Sequence, residues 1–356
     1  MIAADTLHDP VLALDVLLDA ARLSEALGRE VEITRVRWKP ATSLVLGVRT
    51  GEDHGWVAAY ADPGKLLKLY ARAASIGAQV TRLRAVDAAC AGPLAADRAL
   101  AKPLGRARRV LGDGATVLRY NPHRRVVLRT GGDVVKVATT DAGRADLTQR
   151  LAAGGAAVLP AELVRPGIQR TRWWGAGDLA ASPSRAAAAA AGRALAALHD
   201  APADDAPDAS PAEGDLATAV AAIGRLDADA GARAAALAER VRALPTGERS
   251  ALVHGDFTAD QVLRRGDEVR LIDFDRAGRG EPERDLGAFT AGELLAGRAL
   301  TDALRSGYDA PVNERAVDRW TATAALQRAV EPFRTGRADW RDGLHAAIDV
   351  GTGAAR

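Results

Sequence analysis

From residue 251 to residue 275 the chain runs from a short apolar stub through His254-Gly255-Asp256 into two further apolar runs, the second of which ends at Asp273, with Asp275 two residues on. The stub, Ala251-Leu252-Val253, is too short for a helix, and a charged residue placed just past it beside a permissive glycine can face a cleft. Asp256 is therefore placed to accept a proton from an attacking hydroxyl. The next two apolar runs, Val262-Leu263 and Val269-Arg270-Leu271-Ile272, flank the turn signal Arg264-Arg265-Gly266-Asp267, which predicts a hairpin. Such a hairpin brings Gln261 and Asp273 together at its open end. An amide oxygen and a carboxylate are hard ligands suited to Mg²⁺ bridging nucleotide phosphates, and Asp275 is placed to assist the metal or position the loop. Turn chemistry explains any one of these aspartates but does not demand the whole pattern.

These residues, together with Arg284-Asp285-Leu286-Gly287, make the segment resemble the aminoglycoside phosphotransferase and choline kinase superfamily, whose fold is protein-kinase-like. The resemblance implies that Asp256 is the catalytic base, that His254 shapes the catalytic loop, and that Gln261 and Asp273 hold Mg²⁺. It also implies that Asp285 braces the loop from the start of a helix. The family's amide is usually asparagine. Glutamine at this position is similar to the maltokinase and glucosamine-kinase-like branch, whose members carry an N-terminal cap.

A kinase-like lobe also needs an upstream lysine on a strand to reach the nucleotide's phosphates. Beyond Lys102 the chain has one lysine, Lys136, in the β-branched run 133–138. An ammonium in such a strand is costly unless it meets anions, which favours a phosphate contact. Strands are predicted at 115–120, 125–130 and 133–138, a helix at 142–153, and further strands at 158–164 and 171–174. By resemblance this β-β-β-α-β-β order is that of a kinase N-lobe. No GxGxxG is present, so the turn containing Asn121, His123 and Arg124 is expected to cover the phosphates, with Asp141 or Asp146 as the acid that pairs with Lys136.

The run from Arg37 to Leu46 echoes the run from Arg119 to Leu128, each with a proline turn followed by a glycine-containing turn and another apolar strand, which makes a duplication plausible. The expected organisation is an α/β cap over residues 1–111, a small β-rich N-lobe over 112–177 and a mostly helical C-lobe over 178–356, an α+β bilobal fold. In the C-lobe, helices are predicted at 184–199, capped by Ser182 or Ser184, and at 215–226, 230–244, 286–297, 314–331 and 339–350. His199 is expected to be exposed at a helix end.

Lys and Arg nearly balance Asp and Glu, giving a formal net charge of +2, and no aromatic-basic stripe signals nucleic acid. The lone Cys90 excludes an internal disulfide and is expected to pack. No apolar run reaches membrane-spanning length, and residues 1–10 lack the pattern of a signal peptide, so a cytoplasmic enzyme is expected. The reaction implied is transfer of the γ-phosphoryl of ATP, or GTP, to a hydroxyl of a sugar, amino sugar or aminoglycoside. Glu281, Glu283, Glu293 and Glu331 are candidates to hold an amine, and Trp173, Trp174, Trp320 and Trp340 to stack on a sugar ring. The alternative is a catalytically weak nucleotide-binding partner of a biosynthetic or modification enzyme.

Overall fold

The computed structural model of the chain describes residues 7, 9, 12–84, 86–112, 114–140, 144–203, 206–209 and 212–356. Asp141 and the first two residues of the helix expected at 142 lie outside the described residues. The chain divides into two compact units, the first made of residues 1–142, 163–170 and 331–341, the second of residues 143–162, 171–330 and 342–356.

Two sheets of one topology dominate the first unit. Strands β1 (Glu32–Lys39), β2 (Ser43–Thr50) and β3 (Asp53–Tyr60) form a meander; the helix Pro63–Ser75 follows, then β4 (Thr81–Arg82) and β5 (Ala89–Pro93), in the order β1-β2-β3-β5-β4. The second meander is β6 (Thr116–Asn121), β7 (Arg125–Thr130) and β8 (Asp133–Ala138). It is followed in sequence by the helix Ala145–Ala153, β9 (Ala161–Arg165) and β10 (Ile168–Arg172), in the order β6-β7-β8-β10-β9. The echo around the two proline turns thus extends to a complete β-β-β-α-β-β unit. The strands expected at 158–164 and 171–174 are both displaced toward their connecting turn, and Val158 instead bridges to Leu271.

Strand pairing gives the correspondence between the copies residue by residue. Val45 pairs with Ala58 in the first sheet and Val127 with Lys136 in the second, so Ala58 occupies the register position of the lysine. Ala58 is fully buried, in a core where Trp56 and Leu66 of the first copy meet Tyr120, Val126, Val135 and Val137 of the second. Side chains alternate across a strand, so with Val135 and Val137 turned into this core Lys136 stands on the opposite face. Cys90 belongs to the same core; burial pushes its thiol up to about 12, leaving it to pack.

The second unit is mostly helical. The alanine-rich helix Arg185–His199 is capped by Ser184, whose Oγ accepts the Ala187 N–H at 3.2 Å. Helices Ala212–Leu226, Ala228–Arg242, Glu283–Leu295, Thr301–Gly307 and Glu314–Arg328 follow, with most of Trp340–Ala354. The short helix Thr301–Gly307 carries too little apolar periodicity to be read from sequence. It packs so closely on Arg185–His199 that a Cβ at Gly307 would lie 1.9 Å from the Ala189 carbonyl oxygen. Gly307→Ala is expected to cost roughly 3 kcal/mol, the upper end for overpacking, seen as a lower urea midpoint at unchanged slope. A midpoint shift worth less than about 0.5 kcal/mol, the ordinary surface range, would contradict this close approach.

Five short strands complete the second unit: β11 (Gly177–Asp178), β12 (Ala251–Val253), β13 (Val262–Arg265), β14 (Glu268–Leu271) and β15 (Gly278–Gly280). β13 and β14 form the predicted hairpin, extended by β11, while β12 pairs with β15. Among the described residues no helix is long and apolar enough to cross a membrane.

Candidate active site

The stub β12 is buried, and its antiparallel partner is β15, with Val253 opposite Gly278. That pairing returns the chain after Asp273 alongside the loop that follows β12. Gly255 has φ +83°, and a Cβ there would lie 2.3 Å from the Arg276 carbonyl oxygen, so this position tolerates only glycine. Asp256 comes next and is partly exposed. Its Oδ1 accepts from Arg328 Nη2 at 3.2 Å, and its Oδ2 lies 3.9 Å from Arg276 Nε. Sequence reading identified neither arginine, because Arg328 comes from a different helix and Arg276 arrives only through the β12–β15 pairing.

The loop is held from beneath by one carboxylate. Asp285, wholly buried in the first turn of Glu283–Leu295, accepts the His254 N–H at 2.6 Å on Oδ2 and the Gly255 N–H at 2.8 Å on Oδ1. His199 Nε2 donates to the same Oδ2 at 3.1 Å, and its Nδ1 lies 2.8 Å from the Tyr308 hydroxyl. Burial alone would raise the Asp285 carboxyl, but the hydrogen bond and charge of His199, with the His254 N–H, hold it below its usual range. His199 is therefore not the exposed helix-end residue expected from sequence; it is 2% exposed and belongs to the brace. Tyr308, its hydroxyl pushed up to about 12 by burial, is a second member that sequence reading missed.

His254 is itself fully buried, between Phe274 and Phe257. Its Nε2 donates to the Ile272 carbonyl at 2.8 Å, while its buried Nδ1 has no hydrogen-bond partner. The bond to Ile272 links the His254 loop to the end of β14, one residue before Asp273.

At that end of the hairpin the Ile272 N–H donates to the Gln261 carbonyl at 3.0 Å, which brings the two chain segments carrying Gln261 and Asp273 together. Asp273 adopts a left-handed conformation, φ 66° and ψ 54°, before the single turn Phe274–Arg276. That geometry costs about 1–2 kcal/mol in an ordinary residue and is most tolerable in Asp and Asn. Among the described residues no group of three or more His, Cys, Asp or Glu forms a metal cage. The donors present, an amide oxygen and the carboxylates of Asp273 and Asp275, fit a Mg²⁺ that takes its remaining ligands from phosphate and water.

In the first unit the expected phosphate turn has a different character. Asp97, fully buried, accepts the His123 N–H and the Tyr120 hydroxyl, each at 2.7 Å, and Arg37 Nη1 donates to the Pro122 carbonyl at 3.0 Å. The His123 ring is buried 5.8 Å from the Trp56 ring, and burial lowers its pKa to about 4. His123 is therefore neutral at pH 7 and turned into the core, and the Asn121 side-chain oxygen is also buried. Of the three residues expected over the phosphates, only Arg124 is exposed. The aspartate that pins this turn was not singled out because its partners lie in another strand and turn.

The acceptor candidates are largely committed elsewhere. Glu281 accepts from Trp320 Nε1 and the Gly247 N–H, both at 2.9 Å, and lies 3.5 Å from Arg319. Glu283 is buried and accepts the Asn313 N–H at 3.0 Å, and buried Glu293 pairs with Arg298 at 2.6 Å. Glu331 bridges Arg35 and Arg334 in the first unit. Trp320 and Trp340 are buried, and the Trp174 ring is covered by Arg265 and Arg270. Asp146, expected as a partner of Lys136, pairs with Arg150 on its own helix.

Among solved structures the chain is similar to a choline/ethanolamine kinase family protein from Mesorhizobium loti, at 17% identity over 72% of this chain and 94% of that one, with TM-score 0.52. It is also similar to choline kinase LicA from Streptococcus pneumoniae, at 12% identity over 70% and 97%, with TM-score 0.52. A third similar structure is a spectinomycin phosphotransferase in complex with ADP and spectinomycin, at 12% identity over 67% and 92%, with TM-score 0.51. The fold is accordingly protein-kinase-like, α+β, with a β-sheet N-lobe and a helical C-terminal region. Residues 163–333, which contain the His254 loop, the hairpin and Asp285, match the model of the phosphotransferase enzyme family APH. No curated protein matches the chain significantly.

Proposed function

We propose that this protein is a small-molecule kinase that moves the γ-phosphoryl group of ATP, or GTP, to a hydroxyl, with a sugar as the preferred acceptor. The observation that carries this reading is the clamp of Asp285 on two successive backbone N–H groups. It fixes the loop and leaves the Asp256 carboxylate partly exposed at its tip. Such preorganisation of a carboxylate suits general-base work on a bound hydroxyl. Asp256 takes the hydroxyl proton as the acceptor oxygen bonds to the γ-phosphorus. The bond from that phosphorus to the oxygen bridging the β-phosphate breaks, giving a phosphate ester, ADP and a proton. Gln261, Asp273 and Asp275 would hold Mg²⁺, which neutralises phosphate charge when bound. Lys136 and Arg124 are the proposed phosphate-binding cations, while Asn121 and His123 set the shape of their turn.

The sugar-kinase branch is supported by Gln261 in place of asparagine and by the duplicated sheet that precedes the lysine-bearing one. Transfer of label from [γ-³²P]ATP to sugars, amino sugars, aminoglycosides and small peptides tests the reading. Label is expected on a sugar-class acceptor and only with Mg²⁺, and ATP is expected to raise the melting temperature further when Mg²⁺ is present. A melting shift indifferent to Mg²⁺, with no label on any acceptor, would overturn the assignment.

A further inference from the structure

We propose that the acceptor of this kinase is an anion, a hydroxyl-bearing small molecule with a carboxylate or phosphate group, held beside Asp256 by Arg328. This rests on the phosphotransferase reading above and names its substrate class. Each Asp256 oxygen faces a guanidinium, Oδ1 that of Arg328 at 3.2 Å and Oδ2 that of Arg276 at 3.9 Å. Any hydroxyl that gives its proton to Asp256 must enter between or alongside these two cations.

Arg328 is built to hold a ligand rather than to wander. Its side chain is 20% exposed, against 59% for Arg276, and Nη1 is tied to the Ala324 carbonyl of its own helix at 3.3 Å. A guanidinium has five N–H donors in a planar fork. The contacts to Ala324 and Asp256 engage only part of that fork, and an anionic group on the acceptor would find donors beside the reacting carboxylate. A role limited to complementing the dipole at the end of Glu314–Arg328 would explain the Ala324 contact. It would not require the reach to Asp256.

The glutamates that a cationic acceptor could use each already serve a donor within the fold, and Glu283 and Glu293 are buried. Glu281 is bound by Trp320, Gly247 and Arg319, while one oxygen of buried Glu283 takes the Asn313 N–H and one of buried Glu293 takes Arg298, the other oxygen of each having no hydrogen-bond partner. An amine approaching Asp256 therefore meets two arginines. An anion meets complementary charge.

The test is a set of matched acceptors, each a neutral hexose, pentose or polyol with its amine, carboxylate and phosphate counterparts, assayed by label transfer from ATP for kcat/KM. The wild-type enzyme is expected to prefer an anionic member over its neutral and amine counterparts by roughly ten- to a hundredfold, the range of a charge-assisted hydrogen bond. The carboxylate and phosphate arms show which anion it is. Arg328→Gln should erase the preference mainly by raising KM for the anion, and Arg328→Lys should restore only part, since it keeps the charge and loses the fork. Equal or better transfer to the neutral or amine members by wild-type enzyme overturns the proposal and leaves the phosphotransferase reading standing. No transfer to any member of any set overturns both. If Arg328→Gln fails to fold, as circular dichroism would show, the wild-type ranking decides alone.

Discussion

Replacing Asp256 with alanine is expected to lower phosphoryl transfer by roughly 10²–10⁴-fold, the range for loss of a general acid or base, while the protein stays folded and continues to bind nucleotide. Asp256 is partly exposed at the tip of its loop, and no core contact depends on it. Its pairs with Arg328 and Arg276 are screened by solvent, so their loss should cost no more than about 1 kcal/mol. The loop backbone should not move, because its anchors run to Asp285 from the N–H groups of His254 and Gly255. The loss should therefore appear in kcat with little change in the KM for ATP, and in single-turnover rates with little change in melting temperature. A variant that keeps most of its turnover would remove Asp256 from the role of base.

Asp285→Ala is expected to act in the opposite sense, through the fold first. It strips the acceptor from three buried donors, the N–H groups of His254 and Gly255 and the Nε2–H of His199. Leaving a buried donor without its acceptor costs roughly 1–3 kcal/mol per group, and the melting temperature should fall accordingly. Activity should fall with it even below the melting point, since the loop carrying Asp256 loses its clamp. A melting temperature equal to that of wild type would show that the brace does not hold the loop.

The same carboxylate gives the protein an acid limb. The folded pKa of Asp285 lies below its ordinary value of 3.8, so the unfolded chain takes up this proton first as pH falls. The stability it contributes is complete above pH 3.8 and drains away as pH drops through the folded value. Asp285→Asn, which carries no titrating group there, should show a flatter fall in stability below pH 3.8 than wild type in urea unfolding at stepped pH. An identical slope would mean that the group does not titrate differently in the two states.

Local patterns in the sequence specify a large part of this molecule. The hairpin of Val262–Arg265 and Glu268–Leu271 follows from two apolar runs around an Arg-Arg-Gly-Asp turn, and the helix Arg185–His199 from alanine propensity behind a serine cap. Contacts between distant segments were hidden for a plain reason. Nothing in the neighbourhood of Gly278 announces that it pairs with Val253, and that pairing is what sets Arg276 against Asp256. His199 looked exposed because a lone histidine at a helix end usually is; its partners, Asp285 and Tyr308, lie 86 and 109 residues away.

The two copies of the β-β-β-α-β-β unit show the same division. The proline turns and alternating apolar residues revealed the echo, but strand register was needed to show that buried Ala58 sits where Lys136 stands in the second copy. By itself the sequence singled out the candidate reacting set, His254-Gly255-Asp256 with Gln261 and Asp273, because these residues lie at short spacing along one loop and hairpin. The tertiary structure alone decided the charge around it. It buried His123, engaged Glu281, Glu283 and Glu293, and brought Arg328 to the Asp256 carboxylate. Electrostatic partners are chosen by proximity in space, and residues remote along the chain become neighbours only when helices and strands pack.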